Sequence, residues 1–272
     1  MSDPVPARPT GGDLIYRQRR PVRLWHWINA LSVIVMLMSG LMIFNAHPQL
    51  YWGQYGANHE TPWLAIGSTG ASGFLRIGAV TVPTTGVLGI SHGVALAFPP
   101  LLTIPSGYDL AAARQWHFAF AWLLVIPGLL FWLWGLASRH FQHDLAPTPA
   151  ELHPRHLWQD ITDHARLRFH TGEAARRYNI LQKLSYIGII FGLLPAMVLT
   201  GLTMSPGMDA AWPWLLDVFG GRQSARSIHF ICAALIVGFI VVHLLMVLLA
   251  GPFNELRSMI TGWYRLPQEK AR

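Results

Sequence analysis

An apolar run from Arg226 to Leu245, "RSIHFICAALIVGFIVVHLL", carries two imidazoles, His229 and His243, fourteen positions apart. An ionisable side chain inside a stretch fit for hydrocarbon is costly to keep and marks a functional site. Fourteen helical steps of about 100° fall within about 40° of four full turns. Both rings therefore share one helix face, about 21 Å apart along it. Two more of the thirteen histidines, His26 and His117, stand at the mouths of other apolar stretches. Neutral imidazoles in such places bind metals or pass protons. Three of the four follow an arginine by three residues, as Arg23-Leu-Trp-His26, Arg114-Gln-Trp-His117 and Arg226-Ser-Ile-His229. That spacing puts each guanidinium one turn toward water on its histidine's own face. There it can pair with a carboxylate or simply snorkel at a helix end.

The elements that must position these residues are visible in the composition. The chain of 272 residues is 52% hydrophobic and only 12% charged, with a mean hydropathy of +0.35. Soluble domains carry about a quarter charged residues, so a membrane protein is expected. Four stretches are long enough to cross about 30 Å of hydrocarbon: Leu24–Phe44, Phe118–Ala137, Leu184–Leu202 and Ile228–Ala250. Ile77–Pro105 is also uncharged, but its four prolines and four glycines predict loops and short pieces rather than a fifth span. Four spans place sixteen of the 20 basic residues on one side, including Arg8, Arg17, Arg19, Arg168, Arg176, Arg177, Lys183, Lys270 and Arg272. Only Arg76, Arg114, Arg222 and Arg226 fall on the other. The positive-inside rule then puts both termini of a multi-pass membrane protein in the cytoplasm. The net charge of +7 reads as this topology signal and not as a nucleic-acid footprint. Met1–Arg23 lacks the form of a cleavable signal peptide, so the first span is expected to be its own insertion signal.

The expected class is an all-α membrane protein with four transmembrane helices. Residues 1–22 form a cytoplasmic tail, 23–250 the membrane domain, and 251–272 a second cytoplasmic tail. Within the domain, 45–113 is a long outer loop (periplasmic in a bacterium), read as a small structured cap, and 138–183 a cytoplasmic loop. One internal echo is present: "MLMSGLMIF" in the first span and "MVLTGLTMS" in the third both set a small residue before Gly-Leu. Such a glycine lets a flat group, or simply a neighbouring helix, approach the backbone. The single cysteine, Cys232, excludes an intrachain disulfide, a four-cysteine iron–sulfur site and covalent haem attachment. It reads as a small packing residue.

Depth sorts the four histidines into two pairs, His117 with His229 near the outer face and His26 with His243 near the inner one. Two pairs of imidazoles, each drawn from two helices, suit two non-covalent bis-histidine haems. Zinc fits less well, because its tetrahedral site gathers four ligands at one point. A proton relay usually adds Asp or Glu, and none of the thirteen acidic residues lies inside a span. Arg23, Arg114 and Arg226 then stand where haem propionates emerge. The other histidines, His47, His59 and His92 in the outer loop and His140, His143, His153, His156, His164 and His170 in the inner one, read mostly as solvated or loop-packing residues. His92 in "GVLGISHG" is the one with some claim to function.

The segments "RLWHWINALSVIVMLMSGLMIF", "RQWHFAFAW", "RRYNILQKLSY" and "IHFICAALIVGFIVVHLL" resemble the prokaryotic dihaem cytochrome b family. This is the cytochrome b-561 type, which includes b-type subunits of nickel–iron hydrogenase, formate dehydrogenase and thiosulfate reductase. The resemblance covers all four spans and implies a multi-pass protein of the bacterial inner membrane. It implies two haem b groups, His26 with His243 for the inner one and His117 with His229 for the outer one. It also implies an exchangeable quinone or quinol beside the inner haem, at a motif similar to Asn-x-Gly-Gln. This chain has Asn179-Ile-Leu181-Gln182 there, with Leu181 in place of the glycine. Asn179, Gln182 and His243 are thus the expected quinone residues, although Asn179 equally suits a helix N-cap. The outer-loop segments "NAHPQLYWGQYG" and "TTGVLGISHG" look like the subgroup that accompanies periplasmic molybdopterin-dependent oxidoreductases. The expected function is electron transfer between the quinone pool and such a periplasmic partner, with a hydrogenase or formate dehydrogenase second. A self-contained superoxide oxidase or ferric reductase is the enzyme alternative, and a histidine-based metal or proton transporter the alternative of another class. A homo-oligomer in the lipid stays open, and nucleic acid is not an expected partner.

Overall fold

The computed structural model describes residues 12–56, 60–166 and 178–266. Arg8, Arg168, Arg176, Arg177, Lys270 and Arg272 of the charge argument, and His59 and His170 of the loop histidines, lie outside the described residues. The described chain is mostly helical, and four of its helices are long and apolar enough to cross a membrane. They are α1 (Arg20–Asn45), α2 (Leu110–Ala137), the third span Ile180–Met204, and, after the short helices α6 (Pro206–Ala211) and α7 (Trp214–Phe219), α8 (Arg222–Ala250). Each contains one expected span and overruns it, because helical hydrogen bonding continues past the point where the side chains turn polar. The third span is not uniform. It comprises α4 (Ile180–Ile187), a π-type turn Gly188–Leu193, and α5 (Leu194–Met204). Pro195, the second residue of α5, has no N–H to donate and crowds the carbonyl four residues earlier. The wider turn just before it is where the ladder adjusts.

Two compact units are each assembled from distant segments. The first takes Met1–His26, Leu130–Ile190 and Gly238–Arg272, the second Trp27–Leu129 and Phe191–Val237. In the second, the connection between α1 and α2 is a four-stranded antiparallel meander of β2 (Gln49–Leu50), β3 (Leu64–Thr69), β4 (Ser72–Ile77) and β5 (Val80–Pro83). This sheet departs from the expected all-α class, and the local sequence explains it. Thr69 pairs with Ser72 around Gly70-Ala71, and Ile77 with Val80 around Gly78-Ala79. Gly70 (φ +59°) and Gly78 (φ +57°) occupy the left-handed region that two-residue hairpins require. β5 is an edge strand and ends in Pro83, where a missing donor costs no ladder bond. Of the uncharged stretch 77–105, β5 and a 3₁₀ turn at Pro100–Leu102 are regular. His92 lies exposed with Gly93 in the tight turn between Ser91 and Val94.

Phe44, Leu50, Leu64, Ile66 and Ala97 form the core beneath this sheet, with Phe230 of α8 packed against it. Polar bonds fasten the loop to the head of α8. Ser227 Oγ accepts from Trp63 Nε1 (2.9 Å) and donates to the Tyr51 carbonyl (2.5 Å). Ser224 Oγ accepts from the Gly53 amide (2.7 Å). Asn45, at the end of α1, exchanges two hydrogen bonds with the Phe98 backbone (3.0 and 2.8 Å). The loop is therefore a built cap, closed at its base.

In the first unit, Phe131, Phe141, Leu145 and Ile190 form a core against which Trp25, Trp134, Tyr178 and Tyr186 pack. Trp25 stacks on Phe131 with ring centres 4.3 Å apart. Two amphipathic helices, α3 (Pro154–Ala165) and α9 (Pro252–Thr261), belong here. The segments beside α1 and α9 pair as a two-stranded ribbon, β1 (Leu14–Tyr16) with β6 (Trp263–Arg265). The Arg17 guanidinium lies 4.6 Å from the Tyr264 ring centre and 5.4 Å from that of Tyr178.

Candidate functional site

The four intramembrane histidines come together two by two, each pair within one unit. His26 of α1 faces His243 of α8, with ring centres 6.3 Å apart and planes at 58°. His117 of α2 faces His229 of α8, with ring centres again 6.3 Å apart and planes at 55°. A metal–imidazole bond of about 2 Å sets each ring centre roughly 3 Å from the metal, so two axial imidazoles across one metal have centres about 6 Å apart. Both pairs fit a haem iron by this measure. Among the described residues no group of three or more His, Cys, Asp or Glu side chains gathers to hold a metal ion. A tetrahedral zinc centre therefore finds no ligand set there.

The surroundings of His117 and His229 repeat one another. His117 Nδ1 lies 3.1 Å from Ser39 Oγ and 3.1 Å from the Met36 carbonyl. His229 Nδ1 lies 2.9 Å from Thr200 Oγ1. A methyl group on Gly40 would stand 3.4 Å from His117 Cε1, and one on Gly201 3.6 Å from His229 Cε1. The two glycines of the sequence echo thus back onto two facing imidazoles. Ser39 and Thr200 were not singled out by sequence reasoning, although the echo contained the signal. In the other pair, His243 stacks on Phe239 with ring centres 5.6 Å apart.

The arginines have structural duties. Arg226 donates through Nη1 to the Gln49 carbonyl (2.8 Å) and through Nη2 to the His47 carbonyl. Burial, and then the nearby Arg226 guanidinium, push the His47 imidazole below its ordinary range. Arg23 donates to the Ile260 carbonyl of α9. Arg114 is exposed and lies 5.9 Å from the Phe118 ring centre. Asn179 and Gln182 form a capping box on α4: Asn179 Oδ1 accepts from the Gln182 amide (2.8 Å), and Gln182 Oε1 accepts from the Asn179 amide (3.3 Å). Asn179 Nδ2 also donates to His164 Nε2 (2.9 Å), whose Nδ1 donates to the Asp160 carbonyl (2.8 Å). His140, read as a loop histidine, is buried with Nδ1 2.6 Å from Asp144 Oδ2. Burial lowers its pKa and outweighs the opposing pull of Asp144.

Four long apolar helices carrying two facing imidazole pairs define a class, the membrane-embedded b-type cytochrome of electron transport. A model of the prokaryotic cytochrome b561 family matches residues 17–262, and the chain belongs to that family. It is 26% identical over 241 residues to YedZ1 of Azospira oryzae, a proposed protein-methionine-sulfoxide reductase subunit, covering 89% of this chain and 93% of that protein. It is 26% identical to the proposed cytochrome YdhU of Escherichia coli, covering 93% of this chain and 76% of that one. It is 23% identical to a proposed Ni/Fe-hydrogenase B-type cytochrome subunit of Cupriavidus necator, covering 91% and 86%. No solved structure matches.

Proposed function

We propose that the chain is the b-type cytochrome subunit of a membrane redox complex and holds two non-covalent haem b groups. His26 and His243 would hold one, His117 and His229 the other. The observation that carries this reading is the matched 6.3 Å spacing of two separate imidazole pairs. One-electron oxidation and reduction is what haem iron supplies when bound. The chain contributes facing imidazoles and an apolar surround. Arg23, Arg114 and Arg226 are the proposed propionate partners. A guanidinium has five donors, so Arg226 serves the loop with two and keeps capacity for a carboxylate. Asn179, Gln182 and His243 are the proposed quinone residues. Asn179 Nδ2 carries two N–H groups, of which the contact with His164 takes one.

Both termini are assigned to the cytoplasm and the 45–113 cap to the periplasm. Electrons then pass between the quinone pool and a periplasmic redox enzyme, a molybdopterin-dependent oxidoreductase in this proposal. That two relatives are named as subunits of redox complexes supports the subunit role. The purified chain should bind two haems and show b-type absorption on reduction. His229→Ala should retain one haem, that of His26 and His243. A folded chain without haem overturns the reading. Purification from native membranes in mild detergent should bring down a molybdopterin-containing partner, and a chain that oxidises quinol alone with a small oxidant overturns the partner assignment.

A further inference from the structure

The repeated surroundings of His117 and His229 have a chemical direction. Ser39 and Thr200 are fully buried. Ser39 Oγ lies 2.8 Å from the Val35 carbonyl and 3.2 Å from that of Met36. Thr200 Oγ1 lies 2.6 Å from the Ala196 carbonyl and 3.2 Å from that of Met197. Each hydroxyl has one hydrogen, and a carbonyl only accepts, so that hydrogen is spent back along the hydroxyl's own helix. What the hydroxyl offers the imidazole is a lone pair. At His117 the neighbouring Met36 carbonyl offers the same. Both Nδ1 atoms therefore face acceptors only, and each must carry the ring's proton. Nε2 is left as a bare lone pair, the form that binds a metal.

The same five-residue pattern builds both cradles, Met36-Leu-Met-Ser39-Gly40 on α1 and Met197-Val-Leu-Thr200-Gly201 on α5. In each, the first residue's carbonyl lies 3.2 Å from the fourth residue's hydroxyl, and the glycine leaves room for the ring edge. Ser39 is 78 residues from His117 and Thr200 is 29 from His229. Chain proximity therefore explains neither contact.

We propose that Ser39 and Thr200 are paired positioning residues for the haem held by His117 and His229. They lock both imidazoles in the Nδ1–H tautomer, fix the angle between the ring planes and, by accepting the Nδ1 hydrogen bond, strengthen both rings as donors to iron. A stronger donor favours the ferric state, so the two hydroxyls hold the potential of this haem down. The proposal rests on the haem reading above and concerns that haem alone.

The test uses the full chain in detergent, with haem content, redox titration and low-temperature electron paramagnetic resonance as readouts. Thr200→Val removes the hydroxyl at nearly constant volume, Thr200→Ser keeps it, and Ser39→Ala removes its counterpart. With two haems in the unaltered chain, Thr200→Val and Ser39→Ala should each raise one midpoint potential and shift one low-spin ferric signal. The second haem should stay unchanged, and Thr200→Ser should match the unaltered chain. Loss of one haem in Thr200→Val with retention in Thr200→Ser also supports the proposal. It is overturned if Thr200→Val and Ser39→Ala keep both haems with both potentials and both signals unmoved. It is overturned too if Thr200→Ser is as defective as Thr200→Val, since keeping the hydroxyl would then make no difference. Absence of haem from the unaltered chain is a different result and defeats the underlying haem reading.

Discussion

At the scale of single residues, the buried polar groups outside the histidine pairs set the sharpest energetic constraints. Lys183 is buried at the start of the third span, and its Nζ donates to both Glu151 carboxylate oxygens (2.8 and 2.9 Å). Partial burial of Glu151 raises its pKa, but the hydrogen bonds from Lys183 and Thr148 outweigh this and hold the carboxyl below its ordinary value of 4.5. A depressed carboxyl stabilises the fold above its unfolded pKa and loses that contribution as pH falls through the folded one. Glu151→Gln leaves a buried ammonium with a neutral partner and should cost about 1–3 kcal/mol. Thermal unfolding in detergent should show the variant less stable at pH 7 and the gap closing as pH falls below the ordinary carboxyl value of 4.5. An equal gap at both values would mean that the carboxylate's charge is not what matters. Lys183 counted in the sequence only as a topology signal. Its partner lies 32 residues away, and nothing local announces it.

At the scale of elements, α8 does two jobs that the sequence separates unevenly. Its imidazoles are legible because helical rise and period are local quantities. Its head is less so: "RQSARS" reads as an ordinary polar helix start, yet Ser224, Arg226 and Ser227 fasten the cap between α1 and α2. Ser227→Ala strands the Trp63 indole N–H and the Tyr51 carbonyl and should cost about 1–3 kcal/mol. The expected signature is faster limited proteolysis within residues 45–113 at unchanged haem content. Unaltered cleavage would deny Ser227 its fastening role. The capping box on α4 has the opposite history. Asn179 and Gln182 have cap spacing in the sequence, the structure shows the cap, and a quinone role must be compatible with it.

For the molecule as a whole, orientation is the claim that follows from charge distribution alone, and it is directly testable. Cys232 is the chain's sole cysteine and is buried, so Cys232→Ala gives a clean background. Leu101 in the cap is 86% exposed and Trp158 on α3 is 68% exposed, which makes both accessible labelling positions. With the cap periplasmic, Leu101→Cys should react in intact cells with a maleimide that does not cross membranes, and Trp158→Cys only after permeabilisation. The reverse pattern overturns the assignment of both termini to the cytoplasm.

Four long apolar helices, no fifth between 77 and 105, and four histidines sorted into two pairs are all legible in the sequence. These follow from hydropathy and from position along a helix, which each residue carries without reference to distant neighbours. That 49–50 and 64–83 pair as strands, that Lys183 is paired, and that Arg226 and Ser227 hold a loop emerge from the fold alone. The fold also decided what the echo between "MLMSG" and "MVLTG" is for. The repeat is plain on reading, but its object is a pair of imidazoles on α2 and α8, elsewhere in the chain. A hydrogen bond of about 3 Å is fixed by packing between helices, and no periodicity within one helix encodes it.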